Sequence, residues 1–213
     1  MTEACPTRTR ASRNAGHGRP AEGRRRLLAA AEQLFATRGL EVPNRAIVAA
    51  AEQHNQSAIT YHFASRAGLI EAVCERHETP IAQHRLHLIA RLPEPADRTT
   101  RQLVEAHIQP LATEMLRSAP SYWARLSELM LAGRPLQPAD TTLSGLMVAH
   151  LGHLAEAEAA GRVALTIRFL TSGLAGWERD SELAGVDVAP LAPFALTLTD
   201  LAVAMLDAPA SAG

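Results

Sequence analysis

Apolar residues recur every three or four positions along almost the whole chain, and nowhere do they alternate over a strand-length stretch. A 3.6-residue period lets a helix bury one face, whereas a half-buried strand needs period two. The chain is therefore expected to be all-α. Leu27, Leu28, Ala31, Leu34 and Phe35 mark a first helix from Ala21 or Glu22 to Arg38, with Gly39 as its C-terminal cap. Asn44 is placed to cap a second helix over 45–52, whose inner face is Ile47, Ala50 and Ala51. Gln53, His54 and Asn55 turn the chain into a third helix. Ser65 caps a fourth, from Arg66 to about Leu92, which Pro80 should kink or break. Helical segments follow at 98–116, bent by Pro110, and at 121–132, 140–160, 163–182 and 190–207. A loop is expected over 133–138.

Charge divides the chain unevenly. Residues 1–66 carry ten arginines and five glutamates, a formal +5, whereas the remainder carries eleven basic and seventeen acidic residues, a formal −6. A basic front on an acidic body points to a polyanion that meets the front alone. Every basic residue is arginine, whose planar fork suits phosphate. Residues 1–20 have no apolar period and read as a disordered basic arm. Residues 21–66 read as one small helical domain, 67–207 as a second, and 208–213 as a tail. No apolar run of roughly eighteen residues suggests a membrane span. The first residues lack a signal core, and two cysteines, Cys5 and Cys74, suit a reducing cytoplasm.

The stretch from Asn55 to Arg66 carries the chemistry. On a helix Ile59 and Phe63 share one face. Ser57, Thr60, Tyr61 and His62 then look away from it. A narrow apolar anchor beneath a hydroxyl- and imidazole-rich face suits insertion into a DNA groove. Gln56, Ser57 and Thr60 are the candidates for base edges, since Gln pairs with adenine and Ser or Thr with several bases. Tyr61 and His62 are candidates for phosphate or sugar, with Tyr61 as a core anchor the competing role. Arg45, opening the second helix, would face phosphate beside backbone amides. The bland alternative is a polar surface helix.

These elements in order resemble the TetR family of bacterial transcriptional regulators. The resemblance rests on Leu28-x-x-Ala31-x-x-Leu34-Phe35-x-x-x-Gly39, then Arg45-x-Ile47, then Tyr61-His62-Phe63-x-Ser65-Arg66-x-x-Leu69. It implies that the second and third helices form a helix-turn-helix, that the third reads DNA, and that Arg66 contacts phosphate. It implies further a homodimer on a palindromic operator, most simply a repressor, released when a small molecule binds the C-terminal helical domain. Two departures stand out: Glu52 replaces the family's usual Gly after helix two, and the span from Ala51 to Tyr61 is longer than usual.

In the C-terminal part, His107 and His150 lie on apolar helix faces and are candidates to orient a small ligand, with hydrogen-bonded core histidines the alternative. Met115, Trp123, Met147 and Trp177 are candidate pocket walls, with simple core the alternative. Histidine and cysteine pairs at three-residue spacing (Cys74 with His77, His84 with His87, His150 with His153) would permit a metal sensor, and scattered His and Glu an all-helical enzyme. Neither a nucleophile–base motif nor a phosphate loop is present, and no cofactor is implied.

Overall fold

The computed structural model describes residues 18–53, 55–117, 120–131, 137–184 and 190–210. The expected basic arm over residues 1–17, His54 of the turn, most of the 133–138 loop, Cys5 and the last three residues lie outside the described residues. In order the helices are α1 (Gly18–Arg38), α2 (Asn44–Ala50), α3 (Ala58–Phe63), α4 (Arg66–Ile89), α5 (Thr100–Arg117), α6 (Trp123–Met130), α7 (Pro138–His150), α8 (Glu156–Ala184) and α9 (Leu191–Asp207). No strand occurs among the described residues.

Helices α1 to α3 form a small head with the first turns of α4. Leu27, Ala31 and Phe35 of α1 meet Ile47 and Val48 of α2, Ile59 and Phe63 of α3, and Leu69 and Val73 of α4, all buried. Each such side chain contributes about 1.5–3 kcal/mol by leaving water. Gly39 ends α1 at φ +83, and its N–H donates to Phe35 O at 2.9 Å. The larger domain is built around α5, which packs against α4, α7 and α9, while α6 lies along α8. The head sits on this body through α1, which packs against both α4 and α6.

Four expectations need correction. Helix α1 starts at Gly18, three residues before the expected domain edge, because Pro20 in a first turn has no bond to lose. Asn44 is the first residue of α2 and not its cap; its Oδ1 accepts instead from Arg66 Nη1 at 2.7 Å, a charge-assisted bond. Helix α4 runs through Pro80 without a break, as α5 does through Pro110. The break expected near residue 161 falls instead at 151–155, so α8 is one long helix. Arg162, expected at that joint, reaches from the second turn of α8 to the carbonyls of Leu206, Ala208 and Pro209, closing the C-terminus of α9.

Candidate nucleic-acid interface and ligand cavity

Helix α3 is held from below and open above. Ala58, Ile59 and Phe63 are buried, and Phe63 also lies 5.0 Å beneath the Arg24 guanidinium. Thr60 is exposed, and Tyr61 is 74% exposed, so Tyr61 is not a core anchor. His62 is half-buried, edge-on to Tyr61 at 4.7 Å. It is wedged toward α1: a Cβ on Gly23 would stand 3.5 Å from its Nε2. Gln56 and Ser57 are exposed but precede α3 instead of lying in it, in a turn where Asn55 Oδ1 accepts from Ser57 N at 2.9 Å.

The entries and exits of α3 are strained. Glu52, in the place of the expected Gly, adopts φ +54, and its carboxylate pairs with Arg26 of α1 at 3.0 Å. Ala64 adopts φ 62 and ψ −38, with Ser65 N donating to Phe63 O at 2.7 Å, a γ-turn of the positive-φ kind. Ser65 Oγ then accepts from Gly68 N at 3.0 Å, the cap anticipated for α4. Gly68 is required here, since a Cβ would lie 2.1 Å from Phe63 O.

The two arginines proposed for phosphate, Arg45 and Arg66, differ. Arg45 is exposed and has no hydrogen-bond or ion-pair partner among the described residues. Arg66 is occupied: it donates to Asn44 and to Leu40 O, and lies 5.4 Å over the Phe35 ring. It locks α4 to the α1–α2 connection, so its guanidinium is engaged within the fold.

In the body, α4 to α8 enclose a cavity of about 120 Å³. Ile81, Leu111, Met130, Leu131 and Ile167 make it apolar; Glu78, Arg85, His107, Trp123, Gln137 and Asp140 bring polar groups to it. Arg85 is buried, donating from Nη1 to Asp140 and from Nη2 to His107 O at 3.1 Å. Burial lowers its pKa, which the Asp140 charge opposes. Burial, and secondarily the Arg85 charge, holds His107 well below 6.5, so the ring is neutral near pH 7.

Behind the cavity, the Trp123 indole stacks on the His77 ring with centroids 4.8 Å apart. His77 Nδ1 is 2.6 Å from Glu114 Oε1, and its Nε2 stands 3.0 Å from Glu32 Oε2, too oblique for a hydrogen bond. Glu32 belongs to α1, so this buried group joins the cavity wall to the reading head.

Residues 27–73 match the sequence model of the bacterial regulatory proteins of the tetR family. The head is therefore a tetR-family N-terminal domain. The match covers the head as built above and supports a role in transcription regulation. Two crystal structures of a gamma-butyrolactone receptor, an ArpA-like protein, share the fold of this chain. One is 19% identical, covering 86% of this chain and 99% of its own with a TM-score of 0.54. The other is 18% identical over 86% and 98%, with a TM-score of 0.52. A TetR transcription regulatory protein from Mycobacterium vanbaalenii is 26% identical over 81% and 99%, with a TM-score of 0.38. No curated protein matches this chain in sequence.

Of the six ligand candidates, the cavity brings together His107 and Trp123. Met115 and Met147 are fully buried core. His150, the last residue of α7, lies beside the start of α5, its Nε2 3.1 Å from Thr100 Oγ1, which donates to Asp207. Trp177 is half-buried on α8 and packs against the core away from the cavity. Sequence reasoning missed Arg85, Asp140, Glu78 and Gln137, which carry most of the cavity's polar atoms. The metal pairs do not assemble: no group of three His, Cys, Asp or Glu able to hold a metal occurs among the described residues. No helix among them is long and apolar enough to cross a membrane.

Proposed function

We propose that this chain is a homodimeric repressor that reads a palindromic operator through α3 and the turn before it, and that a small molecule in the α4–α8 cavity releases it. The observation that carries the reading is the anchoring of α3: Ile59 and Phe63 are buried while Thr60 and Tyr61 on the opposite side are bare. A short helix fixed in this way presents its outer side chains with little freedom, as base readout requires. Gln56, Ser57 and Thr60 address base edges; Tyr61 and His62 address the sugar-phosphate backbone; Arg45 grips phosphate.

The dimer is supported by α8 and α9. Leu165 is 61% exposed, Leu196 60% and Leu201 50%. A symmetric operator needs two heads at fixed spacing, and a second copy on these helices would cover the apolar side chains. Release follows from linkage: a ligand weakens DNA binding by its preference for a dimer whose heads are wrongly spaced. The Trp123–His77–Glu32 stack gives that preference a material route from cavity to head.

The test is selection of genomic fragments at about 0.15 M salt, for wild type and for Thr60→Ala/Tyr61→Ala. Wild type is expected to select a palindrome, and the variant to lose that selectivity while remaining a folded dimer. Sequence-blind binding by both proteins, with a steep salt slope, would defeat the reading.

A further inference from the structure

The effector cavity leaves two hydrogen-bond donors unanswered. Arg85 uses both Nη atoms within the protein, but its Nε–H has no partner, and neither has the Trp123 Nε1–H. Both side chains line the cavity and are at least nine-tenths buried. A buried donor without an acceptor is destabilising, and a ligand that supplies the acceptor removes that penalty. His107 adds a third unpartnered atom, Nε2.

Charge narrows the ligand further. The ionised groups at the cavity are Glu78, Arg85 and Asp140, and Asp140 already answers Arg85. An anion would have to displace Asp140 against the field of a second carboxylate. A cation would meet Glu78, but that carboxylate already accepts from Gln137 Nε2 at 2.9 Å, and the Arg85 guanidinium with its free Nε–H repels positive charge. Size gives the last limit: at about 120 Å³ the space resembles cavities that take one benzene-sized ring.

We propose that the cavity takes a neutral, ring-sized, largely apolar molecule bearing a hydrogen-bond-accepting oxygen, such as a carbonyl, which the Arg85 Nε–H and Trp123 Nε1–H receive. Both atoms are buried on side chains that line the cavity, so receiving the oxygen requires a small rotation of each side chain. The proposal rests on the effector reading above and adds the ligand's chemistry to it.

The experiment titrates the full chain by calorimetry with four molecules of one shape: acetophenone, ethylbenzene, benzoate and 1-phenylethylammonium. Acetophenone is expected to bind at least tenfold more tightly than the other three. Trp123→Phe keeps the ring against His77 but deletes the N–H. It should weaken acetophenone about tenfold, the loss of one buried hydrogen bond, and leave ethylbenzene unchanged. Equal or better binding of ethylbenzene, a preference for either ion, an unchanged acetophenone affinity in Trp123→Phe, or no binding by any probe to the folded chain would each overturn it. Operator affinity is measured separately with acetophenone bound. If the preference for acetophenone holds and operator affinity does not move, the ligand chemistry stands and the effector reading fails.

Discussion

The His77 ring lies flat against the Trp123 indole, 18° from parallel, with carboxylates at both of its nitrogens. His77 is wholly buried, as are Glu32 and Glu114 to within a few per cent. An ionised Glu114 can only accept, which puts a proton on His77 Nδ1. Removing that donor takes a buried partner from Glu114, leaving it Arg117 alone, and sets an apolar ring against Glu32, which keeps only Arg76 at 3.4 Å. His77→Phe is therefore expected to cost about 3 kcal/mol or more, the range for breaking a buried charged cluster. His77→Gln keeps a donor and should cost about 1 kcal/mol. Urea midpoints of both variants check this; equal losses would mean that the ring's shape matters and its proton does not.

The α3–α4 connection makes a second prediction of opposite sign at two neighbouring sites. Ala64 holds φ 62, a conformation that costs a non-glycine residue about 1–2 kcal/mol. Ala64→Gly relieves it and should stabilise by about 1 kcal/mol, or about 2–4 °C for a chain of this size. Gly68→Ala drives a methyl into the Phe63 carbonyl, a backbone atom that cannot swing aside. It should cost more than about 2 kcal/mol and misplace α3. Thermal melting of the two variants gives both signs; destabilisation by Ala64→Gly would mean the turn is unstrained.

Buried polarity explains what the sequence could and could not show. The head was legible because its apolar spacing and its caps are local: Leu27 to Phe35, Gly39 and Ser65 act within one or two turns. His107 and Trp123 stood out for the same reason, as polar or aromatic groups on apolar faces. Arg85 and Asp140 did not. They are 55 residues apart, and each reads alone as an ordinary solvated charge until the packing of α4 on α7 buries the arginine. Arg162 misled in the same way, since Gly161-Arg162 looks like a joint when the carbonyls it caps, at residues 206 to 209, are out of view. Met115 and Met147 obey the apolar spacing and yet fill core, because spacing identifies a buried face without saying whether a cavity lies there.

His107 makes stability depend on pH. Its folded pKa lies well below 6.5, through burial first and the Arg85 charge second. Between the folded value and 6.5 the unfolded chain binds a proton that the folded chain refuses, so stability rises with pH across that window. The contribution is fully present above pH 6.5 and is lost as pH falls below it, at up to 1.36 kcal/mol per pH unit for one proton. His107→Gln should flatten this part of the profile. Urea unfolding at about pH 7.5, 6 and 5 reads the difference in slope between wild type and variant. Parallel slopes would show that the ring is protonated in the folded chain.

Arg45 and Arg66 separate gripping DNA from building the head that grips it. Arg45 is exposed and unpartnered among the described residues, so Arg45→Gln removes a charge and no internal bond. Stability should stay within about 0.5 kcal/mol of wild type. Affinity should fall about equally for operator and random DNA, and the slope of log affinity against log salt should become shallower by about 0.9, one phosphate contact. Arg66→Gln removes the bonds to Asn44 and Leu40 O and the stacking on Phe35. It should lower the melting temperature and blunt discrimination between operator and random DNA, because α3 and α4 lose their brace, while the salt slope of the remaining binding keeps its value. A slope change in Arg66→Gln without a loss of stability would return Arg66 to the phosphate contact that the family resemblance implied, and would show that its guanidinium leaves Asn44 when DNA arrives.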